Sequence, residues 1–102
     1  MTPLNINSLI KYPKKGILSE EIFKDEKIEV SLFCMAKNTE MSEHTSTKKA
    51  VVQVLEGNGI FNLEGTNIEM KEGIFIHMKE NAKHSLKASE NTSFLLWLWR
   101  AS

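Results

Sequence analysis

With 102 residues, 41% hydrophobic and 25% charged, the chain has the composition of one globular domain around one core, too short for two domains and too apolar for a disordered polypeptide. Lys+Arg and Asp+Glu balance at 13 each, which removes the cationic excess that phosphate binding requires and with it nucleic acid as a default partner. The single cysteine, Cys34, excludes an internal disulfide, and neither MTPLNINSLIKYPKKG at the start nor FLLWLW at 94–99 has the pattern of a signal peptide or a bilayer span, so a cytoplasmic protein with no membrane partner is expected.

Residues 1–15, with Pro3 and Pro13, read as an extended arm or edge strand ahead of a single β-barrel domain over 16–102. SEEIFKDE at 19–26 admits a helical turn. Beyond it, Ile28, Val30, Leu32 and Cys34 alternate with Glu29 and Ser31, the signature of a half-buried strand. Cys34 reads there as a small buried hydrophobe, since no cation is at hand to activate a thiol. AVVQVLEG at 50–57 is β-branched. EGNG supplies two glycines for a reversal, and IFNLEG returns as the next strand. After the EGT turn at 64–66, Ile68 and Met70 alternate with Glu69 and Lys71. GIFIHM, HSLKAS and SFLLWLW complete the series, separated by the polar breaks KENAK and SENT. Short strands at regular spacing predict an all-β sandwich or barrel.

The last strand is apolar on both faces: Leu95, Trp97 and Trp99 on one, Phe94, Leu96 and Leu98 on the other. The core covers one face only. The other needs the arm of residues 1–15 or a second copy of the chain, so a homodimer is expected through this strand. Gln53, on the odd-numbered face of 50–57, is expected to meet the other sheet or a subunit.

Two segments, HTSTKKAVVQVLEGNG and KEGIFIHMKENAKHSLKA, resemble the paired motifs of small single-domain cupins, and the resemblance covers roughly residues 28–99. It implies an all-β, double-stranded β-helix of the jelly-roll type. It also implies a site: with Gly57 as the last glycine of the first motif, His44 takes the first histidine position, Ser46 the second and Ala50 the glutamate. With His84 as the histidine of the second motif, Gly73 takes its glycine, Lys79 its proline and Asn81 its inner glycine. A complete cupin site offers three histidines and a carboxylate to a metal. Here serine and alanine replace two of the four, which should weaken binding by several kcal/mol, given ~10–16 kcal/mol for a full structural zinc site.

Strand parity places His84 with Leu86 and Ala88, and His44 with Ala50, Val52 and Val54, so both histidines are expected to point into the barrel mouth. There they either hydrogen-bond each other, Ser46 or water, or hold one divalent transition metal ion (Fe, Zn, Ni, Cu or Mn). His77 alternates with Phe75 against Ile74, Ile76 and Met78. Facing inward it would complete a three-histidine site; the outward face is the preferred reading. Glu43 is expected to point away from the pocket. Two functions follow from this reading. The first is a module binding a small organic molecule in a pocket of His44, Ser46, Val52, Phe61, His84 and Leu86. The second is a metal-dependent enzyme of dioxygenase or isomerase type using His44 and His84 as ligands.

Overall fold

The structure is a computed structural model that describes residues 3–100. The outermost residues of the expected arm and barrel segments, at 1–2 and 101–102, lie outside the described residues. A short 3-10 helix, Ile6–Leu9, precedes nine strands among the described residues: β1 (Ile17–Lys24), β2 (Ile28–Met35), β3 (Glu40–His44), β4 (Lys49–Glu56), β5 (Gly59–Leu63), β6 (Thr66–Met70), β7 (Phe75–Met78), β8 (His84–Ala88) and β9 (Thr92–Trp99). They form two antiparallel sheets, one ordered β1-β2-β9-β4-β7 and the other β3-β8-β5-β6. Alternate side chains of the two sheets meet between the layers, where Val52, Val54, Phe61, Met70, Leu86 and Phe94 are buried. This is the all-β, jelly-roll type of barrel expected from the strand spacing.

The SEEIFKDE segment is a strand for most of its length and not a helical turn. β1 pairs with β2 from Ile17↔Met35 to Lys24↔Glu29, and it has a strand on one side only. An edge strand with one open side accommodates the acidic residues that blur its alternation. The turn that follows is built by Asp25, whose carboxylate accepts hydrogen bonds from the backbone N–H groups of Lys27 and Ile28 at 2.8 Å each.

The arm is not an edge strand either. Ile6, Leu9, Ile10 and Tyr12 pack against a second apolar layer, Val30, Leu32, Cys34 and Leu95, on the outer face of the five-stranded sheet. Cys34 is thus buried beneath the arm. Asn5 starts the short helix by accepting from the Asn7 N–H at 3.1 Å. The Tyr12 hydroxyl donates to Glu56 Oε2 at 2.8 Å and lies 3.0 Å from Ser93 Oγ. Burial, with a smaller contribution from the Glu56 carboxylate, pushes this phenol up to about 12. The two faces of β9 divide as the alternation requires: Phe94, Leu96 and Leu98 enter the barrel, while Leu95 and Trp97 lie under the arm.

Two turns explain their sequences directly. Gly57 has φ +115°, and a Cβ there would sit 2.5 Å from the Asn91 carbonyl oxygen and Thr92 Cα, so no larger residue fits between β4 and the start of β9. Asn81, aligned with the inner glycine of the second motif, has φ +64°; asparagine is one of the few side chains that tolerate that conformation. No helix among the described residues is long and apolar enough to cross a membrane.

Candidate functional site

The mouth of the barrel is formed where β3 ends and β8 begins. Register runs Met41↔Leu86 and then His44↔His84, so Ser42 and Glu43 on β3 stand against Ser85 alone on β8. Two residues against one make a β-bulge, which reverses the parity of β3. Met41 and His44, three positions apart, therefore both face the interior and line the same cavity. Glu43 remains exposed on the outside, as expected.

The rings of His44 and His84 are 4.1 Å apart, centre to centre, and inclined at 64°. His44 Nδ1 lies 2.7 Å from the Ser42 carbonyl oxygen, and His84 Nδ1 lies 3.0 Å from that of Ala82. A carbonyl only accepts, so Nδ1 carries the hydrogen in both rings. Each neutral imidazole then keeps Nε2 as its lone-pair atom. His84 is 7% exposed and stacks on Phe61, with 5.8 Å between ring centres. Burial holds its pKa below the usual histidine value and the adjacent His44 adds to this, against the opposing hydrogen bond to Ala82. His44 is exposed at the rim.

Val52, Phe61 and Leu86 line the cavity with both histidines, and the space they enclose is about 40 Å³. The other two candidate residues are elsewhere. Ser46 sits in the turn after β3, where its carbonyl accepts from the Asn81 N–H at 2.7 Å and its hydroxyl accepts from the Lys48 N–H at 3.2 Å. It locks two loops together and does not line the cavity. His77 is exposed on the outer face of β7, paired with Val51 of β4, so it does not complete a three-histidine site. The lining residues that the expected pocket lacks are Phe33, Phe94 and Leu96 and, of a different chemistry, Met41 and Met78. Met78 was visible as the inward alternate of Ile76, whereas Met41 was hidden by the bulge.

No protein-family model matches the sequence, and no curated protein matches it. Solved structures do. A conserved protein of unknown function from Streptococcus pyogenes superposes with a TM-score of 0.88 at 22% identity, covering 99% of this chain and 89% of its own. A cupin superfamily protein from Desulfitobacterium hafniense gives 0.88 at 18% identity, covering 98% and 92%. The chain has the cupin fold. A salicylate 1,2-dioxygenase from Pseudoaminobacter salicylatoxidans, solved with gentisate, also superposes, with a TM-score of 0.77 at 16% identity; the match covers 81% of this chain but 25% of the dioxygenase.

On the cupin frame, the residues do not fit the three-histidine, one-carboxylate set that the resemblance implies. No group of three or more His, Cys, Asp or Glu side chains comes together among the described residues. At the second histidine position stands the turn-bound Ser46, and at the glutamate position Ala50, a methyl group buried in the core. What this chain presents is a pair of imidazoles with fixed tautomers, set in an otherwise apolar cavity.

Proposed function

We propose that the protein is a binding module whose barrel mouth holds a metal ion between His44 and His84. The observation that carries this reading is the matched pair of backbone hydrogen bonds at 2.7 and 3.0 Å. Ligating histidines are oriented in this way, one ring nitrogen donating to a carbonyl while the other is left free for the metal. The enclosed volume limits what else enters. At about 40 Å³ the cavity is well below the ~300–1,000 Å³ of typical small-molecule pockets. A small organic partner would therefore approach with one end group at His44, its remainder outside the mouth. The second reading, a dioxygenase- or isomerase-like enzyme, is favoured by the likeness to the salicylate dioxygenase. It uses the same two imidazoles, with the open positions taken by substrate and water. The exposed aromatics of the outer sheet face, Phe75 and Trp99, support pairing of two copies.

The test is elemental analysis of untagged protein purified without chelator, beside a His44→Ala variant. His44 is exposed and removing it leaves the core intact, so a change in metal content is not a folding artefact. The expected outcome is near-stoichiometric metal in the wild type and little in the variant. Equal content in the two, or none in either after metal is added, overturns the reading.

A further inference from the structure

The outer face of the four-stranded sheet carries a hollow of about 530 Å³, against about 40 Å³ at the barrel mouth. Register builds its floor. The Ser42–Glu43 bulge stands against Ser85, Ser85 is paired with Asn62, and Asn62 with Asn67. These polar side chains all line the hollow and form one row across β3, β8, β5 and β6. Four strands spaced ~4.8 Å apart make that row about 14 Å long. The neighbouring row is taller: Glu40, Lys87 and Ile60, again in register, form a wall. Lys87 Nζ lies 3.5 Å from Glu40 Oε1, so these two charges cancel, and Glu43 is the one charged group of the floor. The amides of the floor are held in place. Asn62 Nδ2 donates to Asn67 Oδ1 at 2.8 Å, and Asn62 Oδ1 accepts from the Gly65 N–H at 3.1 Å. One N–H of Asn62 and two of Asn67 are left to donate elsewhere.

We propose that this hollow binds a neutral carbohydrate chain, laid along the row from Glu43 to Asn67. The inference uses the outer face of the sheet and stands apart from the histidine pair at the barrel mouth. Hydrogen-bond chemistry selects the ligand first. The amides donate, the Glu43 carboxylate accepts and the serine hydroxyls do both; a ligand hydroxyl answers all three, and a row that crosses four strands calls for several hydroxyls in series. Charge points the same way. With Lys87 paired to Glu40, the hollow has no cationic excess for a phosphate or carboxylate, and a cation would meet a single carboxylate open to water and screened by salt. Apolar surface is scarce. Ile60, 44% exposed, can cover the C–H face of a sugar ring, but a groove this polar holds no apolar molecule. Finally, a face that only met water would gain nothing from fixed amides, whose ordering costs side-chain entropy.

The test is an NMR titration of the full, nitrogen-15 labelled chain with maltotriose, cellotriose and chitotriose, beside glucose as a single ring. The variants are Ser85→Phe, which fills the floor with a ring that a strand accommodates, and Asn67→Ala, which removes two donors at the exposed end of the row. The expected result is saturable, millimolar binding of at least one trisaccharide. The shifts should be confined to the backbone amides of 42–43, 62, 67 and 85 and the side-chain amides of Asn62 and Asn67. Glucose, which spans part of the row, should bind about 10-fold more weakly, and Asn67→Ala should cost about 3–10-fold. Ser85→Phe should abolish binding while the resonances of the other sheet keep their positions, which shows that it folds. Retention on insoluble cellulose or chitin would mark a polymer as the source of the ligand, and binding in solution alone a free oligosaccharide. No saturable shift with any of the three trisaccharides, up to their solubility, overturns the proposal. So do shifts that map to the barrel mouth or to the other sheet, binding that survives Ser85→Phe, and glucose bound as tightly as the trisaccharides. Metal content is read separately, so failure here leaves the histidine pair as it stands.

Discussion

His84 is the residue whose environment departs furthest from water while it still carries a titratable ring. Burial, and then the proximity of His44, lower its pKa in the folded chain. The unfolded chain therefore takes up a proton first as pH falls, and stability drops with it. The contribution is fully present above the ordinary histidine value and is lost as pH falls through the lowered one. In thermal unfolding of metal-free protein, Tm should decline between pH 7 and pH 5 more steeply in the wild type than in His84→Gln, which keeps a polar side chain that does not titrate. Parallel slopes would mean that His84 is already solvated in the native state. At this scale the sequence was partly legible. The motif spacing located His44 and His84, and glycine-like φ values at Gly57, Gly73 and Asn81 follow from the same alignment. Ser46 misled because spacing says nothing about where a short turn aims its side chains. Its hydroxyl is already engaged by the backbone of Lys48, a local bond that serine forms readily in turns.

Among the elements, β3 depends most on a feature that alternation cannot reveal. Strand parity assumes an unbroken pleat, and the Ser42–Glu43 bulge breaks it. His44 was assigned inward by counting from the even-numbered residues of the next strand, across a turn. The structure reaches the same direction through the bulge, and in doing so brings in Met41 as well. The remaining strands were readable because their faces differ plainly in polarity, whereas β1, at an edge and rich in acidic residues, resembled a helical turn. The bulge has a direct test. The start of β3 is tied down by Asn38 and Thr39, which exchange hydrogen bonds with Ala88 at 2.8 and 2.9 Å. Deleting Glu43 should therefore remove the bulge and leave Ser42 alone against Ser85, with His44 two positions after Met41, opposite His84 and still facing inward. The expected result is a folded protein, less stable by about 1–3 kcal/mol, that keeps metal as the wild type does. Persistence of the nuclear Overhauser contact between the two imidazoles would report the retained direction. Loss of both contact and metal would show that a regular pleat does not aim the histidine and that the bulged backbone is required.

Across the whole molecule, the outer face of the five-stranded sheet is covered unequally. The arm lies over β2 and β9 and is latched by Tyr12 to Glu56 and Ser93. This accounts for the second apolar face of β9 that the sequence left to either the arm or a partner. The cover stops short of β7. Phe75 is 65% exposed and Trp99 40% exposed, at opposite ends of a region whose middle is Val51 and Gln53 of β4, paired across to Trp97 and Leu95. An aromatic patch with little charge at its centre, flanked by Lys49, has the make-up of an interface rather than of a solvated sheet. A two-fold pairing would place the same patch on both copies, and a stable contact would need about 800 Å² from each. Neither aromatic belongs to the barrel interior, so Phe75→Ser/Trp99→Ser should leave Tm within a few degrees of the wild type. Sedimentation velocity should then show a dimer in the wild type and a monomer in the variant. The mouth, formed between β3 and β8 of the other sheet, would stay open in such a dimer, and metal affinity should be the same in both forms. A wild type that sediments as a monomer at all concentrations would leave the arm as the whole answer to the apolar face of β9.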